Sequence, residues 1–181
     1  MKSFVPAIAV ALVLTSVPSA ASVEEDLDRC RAVTLEELPP GGQKGDWDSK
    51  PYARRHARYL ETHPRVFASG FLSGKHFYIG FTRDVCKHLR HFRIGLEQPW
   101  RVRAFDANFS YRRMTRAIRC VADMSDNERL GISAVGDNVH RNEVEVLLER
   151  NTEWRRKIIR RRCDPDWRPI LYFREGRAGP T

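Results

Sequence analysis

After residue 21 the sequence holds no apolar run of the ~20 residues that a membrane-spanning helix needs, so nothing in its body reads as a helical anchor. The short signatures of several enzyme classes are missing as well. There is no GxSxG nucleophile turn, no HExxH zinc helix, no glycine-rich phosphate loop, and no pair of carboxylates set where burial would raise one pKa. Together these absences point away from an enzyme and from a resident cofactor. Cysteine is scarce: Cys30, Cys86, Cys120 and Cys163 are the only four. All lie after residue 21, and an even count in an oxidising compartment predicts two disulfides, with three pairings open. A catalytic thiol would need a cysteine kept reduced beside a positioned base, which disulfide formation denies.

What is present starts with residues 1–21, where Lys2 precedes an apolar run from Phe4 to Leu14 and the small residues Ser19, Ala20 and Ala21. That pattern reads as a signal peptide cut after Ala21, and it predicts an exported, secreted or periplasmic protein. In Leu27-Asp28-Arg29 before Cys30, the charges of Asp28 and Arg29 speak against lipidation there. Charge then divides the chain. Residues 22–50 carry 8 acids and 4 bases, whereas residues 51–181 carry 15 acids and 27 bases. An acidic leader containing Pro39-Pro40-Gly41-Gly42 therefore precedes a basic globular body, and it is expected to be extended, tethered if Cys30 is bridged.

The body is organised around HFYIGFTRD, His76 to Asp84. Phe77, Ile79 and Phe81 alternate with Tyr78, Gly80 and Thr82, the period of a half-buried strand, and Asp84 stands where a helix cap belongs. The pattern returns as EVEVLLERN, Glu143 to Asn151, shifted by 67 residues, with Val144, Val146 and Leu148 as the buried row and Asn151 in the cap position. Around each copy the signals are alike: a strand, a turn (Ser73-Gly74-Lys75 or His140-Arg141-Asn142), the alternating strand, a helix and a further strand. The second helix matches the first only after a slip of one or two residues, with Trp154, Ile158 and Ile159 as its expected apolar face. The expectation is an α+β fold of two ββαβ units, 51–109 with a leading helix and 131–181 with a C-terminal tail. A helix in 110–130, capped by Ser110, joins them, and antiparallel sheet is covered by helices on one side. Sheet faces left bare would then be open to partners.

Four groups of residues invite a chemical reading. His88 and His91 share a helix face near Cys86, the spacing of two zinc ligands, but Lys87, Arg90 and Arg93 crowd the same stretch and disfavour a bound cation, so a solvated face is the better reading and no metal is expected. His140, Arg141 and Glu143 meet at a turn, as a small secreted hydrolase would require, although turns gather such residues for solubility. Arg155, Arg156, Lys157, Arg160, Arg161 and Arg162 form the densest basic run and the candidate anion-binding footprint for a polyanion or an envelope surface. Arg112, Arg113, Arg116 and Arg119 face away from an apolar stripe of Tyr111, Met114, Ile118 and Val121 and read as the solvated side of the joining helix.

Tyr59-Leu60-Glu61-Thr62-His63-Pro64, then Phe67-Ala68-Ser69-Gly70, then FYIGFTRD with His88, Leu89 and Arg90 resemble the prodomains of α-lytic protease and streptogrisin-type secreted serine proteases. GISAVGDNVHRNEVEVLLE looks like the hairpin that closes such a unit, and the likeness runs from about Tyr59 to Glu149. The resemblance implies a non-enzymatic α+β module that docks on a protease, assists its folding and inhibits it through sheet edges and a C-terminal tail. No protease follows Thr181 in this sequence and the four cysteines stand outside the pattern, so the implied role is one in trans, on a separate exported protease or other secreted protein. In that role the tail beginning Arg174, Glu175, Gly176 and Arg177 would enter the partner's cleft, and the hairpins would offer edges for strand addition. No catalytic residue carries over.

Overall fold

The computed structural model describes residues 30–40, 50–165 and 169–177. The expected signal peptide, most of the acidic leader, Trp167-Arg168 and residues 178–181 lie outside the described residues.

Tyr52, His56 and Tyr59 recur at helical spacing, and α1 (Lys50–Thr62) uses them to meet the sheet, burying Tyr52 and Tyr59 before His63-Pro64 ends the helix. β2 (Phe67–Ser73) and β3 (His76–Phe81) form a hairpin whose turn is Gly74-Lys75, with Gly74 at φ 55°. α2 (Val85–Arg93) crosses the sheet, Gly95 at φ 74° turns the chain, and β4 (Val102–Asp106) follows a short 3-10 turn at Pro99–Arg101. α3 (Tyr111–Ala122), β5 (Ile132–Asn138), β6 (Glu143–Leu148), α4 (Glu153–Cys163) and β7 (Leu171–Glu175) repeat the order. A short strand from the leader, β1 (Ala32–Val33), completes a first sheet of order β1-β4-β3-β2, and the second sheet has order β5-β6-β7.

The fold is α+β, but its sheets are mixed where antiparallel sheet was expected. β2 and β3 run antiparallel and β3 and β4 parallel; β5–β6 and β6–β7 behave likewise. The cause is the helix between the last two strands of each unit, a crossover that returns the chain to the same end of the sheet before the next strand begins. Phe77 and Val144 occupy matching places. Each is the second residue of its central strand, and they pair with Val102 and Leu171, the first residues of β4 and β7. At the other end Phe81 pairs with Asp106 and Leu148 with Glu175.

Two cores result. Phe77, Ile79 and Phe81 pack under α1 and α2 with Leu89 and Phe92; Val144, Val146 and Leu148 pack under α3 and α4 with Met114, Val121 and Ile159. α3 thus belongs to the second core, as α1 belongs to the first, and is more than a joining segment. The leader covers the outer face of the first sheet: Val33, Leu35 and Leu38 lie against Phe71, Tyr78 and Phe105. That face is therefore closed to partners, contrary to the expectation that both outer faces stay open. Cys30 bonds to Cys86 and fixes the leader to α2, while Cys120 bonds to Cys163 and fixes α3 to α4. The units meet at Asn142, at Arg112 N–H, which donates to Pro64 O at 2.9 Å, and at His140, whose ring lies 4.6 Å from that of Phe71. Among the described residues no helix is long and apolar enough to cross a membrane.

Three local expectations fail. Asp84 adopts a left-handed conformation (φ 49°) and makes no side-chain cap. Thr152, not Asn151, caps α4, its Oγ1 accepting from Arg155 N–H at 3.4 Å. Asn151 instead donates from its backbone to Glu175 and from its amide to Phe173 O. Of the expected apolar face of α4, Ile159 is fully buried and Ile158 packs partly against the core, but Trp154 is 56% exposed, because the cap at Thr152 sets the phase of the helix so that position 159 points at the sheet.

Candidate functional site

α4 presents one residue, Ile159, fully to the core, and its remaining faces are dominated by cations. Arg156, Lys157, Arg160 and Arg161 line an open depression of about 920 Å³, with Tyr172 and Phe173 also contributing to its walls and Glu153 and Asp164 as the acids. The guanidinium of Arg160 lies over the Phe173 ring at 5.2 Å, and that of Arg141 over Tyr172 at 4.2 Å. Asp164 is committed elsewhere. Its buried carboxylate accepts from Ile170 and Leu171 N–H at 2.7 and 3.2 Å, which pins the start of β7, and it stands 3.6 Å from Arg113.

Of the six expected anion-binding residues the structure brings four together here. Arg162 points into a second depression, of about 670 Å³, with Arg112, Arg116 and Arg119 of α3. Arg155 belongs to neither. It donates to Arg150 O at 3.2 Å and packs against Gly131, where an added Cβ would stand 2.7 Å from its Nη1, so it supports that turn. Arg112, Arg116 and Arg119 read in the sequence as a solvated face on one helix stripe; their closeness to Arg162 depends on the Cys120–Cys163 bond. Arg113, grouped with them, turns inward, is half-buried and stacks over Phe109 at 4.7 Å.

The expected partner-binding tail is largely woven into its own sheet. Arg174 pairs with Glu145 at 3.0 Å, Glu175 accepts from Asn151 N–H, Gly176 N–H donates to Leu148 O at 2.9 Å, and Arg177 stands 3.6 Å from Glu149. Residues beyond Arg177 lie outside the described ones. On the second sheet, by contrast, no described strand pairs with the outer edge of β7, the edge that β1 occupies on β4 in the first sheet.

The turn residues are engaged in packing. His140 lies against Phe71, and Arg141 pairs with Glu143 at 3.2 Å while covering Tyr172. Cys86, close to His88 and His91 in the sequence, is held in its disulfide with Cys30. His88 Nδ1 bonds to Tyr59 Oη at 2.8 Å, its ring stacks on Phe81, and His63 stacks on Tyr59 at 4.2 Å. Burial, with the neighbouring His63, lowers the His88 pKa. Among the described residues no three His, Cys, Asp or Glu side chains stand where they would share a metal ion.

No protein-family model matches the chain, and none of the curated proteins is significantly similar to it. The two disulfides point to a non-reducing, extracellular-type environment.

Proposed function

We propose that this protein is an exported, non-enzymatic binding module that acts in trans as a prodomain-like inhibitor or folding helper of a separate exported protease. The observation that carries the reading is the contrast between β4 and β7. In one unit the third strand receives β1 on its outer edge; in the other the equivalent edge has no strand partner among the described residues. Asp164 already holds Leu171 N–H and Asn151 holds Phe173 O, so an extended segment of another protein can add by main-chain hydrogen bonds at the Glu175 end of that edge, with the polar outer face of Glu145 and Arg174 beside it for side-chain choice. In this reading the two units are copies of one block, and the leader supplies to the first copy what a partner supplies to the second.

In a parallel ladder alternate residues turn their backbone groups to one neighbour, so Glu175, between Arg174 and the Gly176 that bonds Leu148, directs its N–H outward. Glu175→Pro removes an edge donor without breaking the β6 ladder, and Glu175→Ala, which loses the same carboxylate bond to Asn151 N–H but keeps the donor, is its control. Purified protein assayed against exported serine proteases of the same organism is expected to inhibit at least one stoichiometrically, and Glu175→Pro to weaken that inhibition about tenfold, the scale of one or two interfacial hydrogen bonds. Truncation tests belong after Arg177, since Arg174 to Gly176 are needed by the sheet. Failure to inhibit or help refold any such protease sinks the proposal.

The exposed cations of α4 favour a second reading, a binder of polyanions or of the cell-envelope surface, with Arg156, Lys157, Arg160 and Arg161 at its centre.

A further inference from the structure

Resting on that second reading, we infer that α3 and α4 form one bipartite site for a linear acidic polysaccharide bearing sulfate or phosphate esters. Arg112, Arg116 and Arg119 recur at i, i+4 and i+7, so they share one exposed stripe of α3. Arg162 of α4 joins them around the second depression. The preceding residue, Arg161, lines the first depression, so the two basic hollows draw on neighbouring residues of α4. Cys120 follows Arg119 and Cys163 follows Arg162; the bond between these cysteines holds the two cationic rows at a fixed separation.

Among the described residues these cations are not neutralised. Arg112, Arg116, Arg119 and Arg162 have no ion pair among the described residues, and Asp123 is the one acid lining their depression. Holding four guanidinium groups together unneutralised is repulsive, and an anion relieves it. The α3 stripe alone runs about 10 Å and the α4 row about as far again, too long for a single sulfate or phosphate and suited to a chain. The cations are guanidinium groups except for Lys157, and the planar fork matches tetrahedral oxyanions two bonds at a time. Single-stranded nucleic acid would also require bare aromatic faces. The rings beside the first depression are covered, Phe173 by Arg160 and Tyr172 by Arg141, and exposed Trp154 lines neither hollow. Tyr111, 40% exposed, is the one ring lining the second, a single platform where a strand of bases would use a row, which favours the polysaccharide.

The test is binding of the full chain to heparin fragments of graded length, to inorganic polyphosphate and to oligo(dT), at about 0.15 M salt and above. Two variants, Arg116→Gln/Arg119→Gln/Arg162→Gln and Arg156→Gln/Arg160→Gln/Arg161→Gln, are compared with wild type, each checked for an unchanged melting temperature. The expected result is that each variant weakens heparin or polyphosphate binding about tenfold or more with a shallower salt dependence. Long fragments should bind more tightly than short ones to wild type, and this advantage should vanish in both variants. The lysine triple Arg116→Lys/Arg119→Lys/Arg162→Lys should recover only part of the affinity. Heparin against polyphosphate then tells sulfate from phosphate chemistry. If only the α4 variant loses affinity, the bipartite site is overturned while the α4 reading stands. If wild type binds no polyanion at this salt, the second reading falls and this inference with it. Tighter binding of oligo(dT) than of heparin, lost in Tyr111→Ala, would overturn the polysaccharide in favour of nucleic acid.

Discussion

Asn142 holds both backbone groups of Phe109: its Oδ1 accepts from Phe109 N–H at 2.6 Å and its Nδ2 donates to Phe109 O at 3.0 Å, with Asn142 fully buried. The pair ties the turn of the second hairpin to the segment that leaves the first sheet. Asn142 also sits at φ 51°, a left-handed conformation that asparagine tolerates better than most residues. Asn142→Ala strands a buried N–H and a buried C=O and adds backbone strain. The expected loss is about 3 kcal/mol or more, read from urea unfolding. Asn142→Gly relieves the backbone and loses the same bonds, so it should fall between alanine and wild type. A change below about 0.5 kcal/mol for both would show that the tether contributes nothing.

This tether also marks where sequence reading stops. Strand and helix identities follow from periods of two and three to four residues, and those are legible in Phe77-Ile79-Phe81 and in Met114-Val121. The shift of 67 found the matching central strands because both rows are buried against helices and cannot slip by one. Asn142 gave no such signal; an asparagine in a turn is ordinary, and its partner lies 33 residues away. The leader's place was illegible for the same reason, since β1 spans two residues and its contact with β4 is wholly non-local. The α4 run was legible as charge, but its division among two depressions and a turn depends on helix phase, which Thr152 sets and Asn151 was wrongly expected to set. Arg112, Arg116 and Arg119 were legible as a stripe and not as a site, because only the Cys120–Cys163 bond makes them neighbours of Arg162.

Gly80 is required by a ring across the strand. It pairs with Phe105, and an added Cβ would stand 2.5 Å from Phe105 Cζ and 3.1 Å from Ala68 Cβ. Phe105 is fully buried beneath the leader and has nowhere to move. Gly80→Ala is therefore expected to cost about 1–3 kcal/mol by overpacking, and Gly80→Val more. Gly136, on the second sheet, has nothing among the described residues within 4 Å of its Cβ direction. Gly136→Ala should be neutral or slightly stabilising. Thermal unfolding of the two alanine variants checks the contrast, and equal melting temperatures would refute it.

Stability should fall on mild acidification, and His56 is the group to watch. Its ring packs 5.0 Å from Phe67 and 5.7 Å from Phe77, its Nε2 is buried without a hydrogen-bond partner among the described residues, and burial lowers its pKa. His76 and His88 are lowered too, with burial the first cause in each. A lowered folded pKa means that, below the unfolded value of about 6.5, the unfolded chain binds more protons than the folded one. Stability is then full above about pH 7.5 and declines as pH drops through 6.5 toward the depressed folded values. His56→Leu keeps an apolar contact and removes the proton site, so its stability between about pH 7.5 and 5 should slope less than that of wild type. Parallel curves from urea titrations at several pH values would exclude His56 as the source.

The Cys30–Cys86 bond does more than add stability, because it decides whether the first sheet has one covered face or two. The bond closes a loop of 56 residues, and the chain-entropy relation gives about 4 kcal/mol for that length, nearly the same as for the 43-residue separation of Cys120–Cys163. The two bonds should nonetheless fail differently. Without Cys30–Cys86 the described part of the leader is held by its two-residue pairing with β4, the Ser73 Oγ–Pro40 O contact and the packing of Val33, Leu35 and Leu38. Leader detachment would bare Phe71, Tyr78 and Phe105, an apolar patch of the kind that binds hydrophobic dyes. Cys30→Ser/Cys86→Ser is expected to bind such a dye under native conditions and to be cut by protease between residues 31 and 40. Cys120→Ser/Cys163→Ser should lose comparable stability while keeping the leader protected, and should instead lose the shared arginine depression of α3 and α4. Dye binding and limited proteolysis of the two double variants decide it: equal leader protection in both would show that packing alone keeps the leader on the sheet.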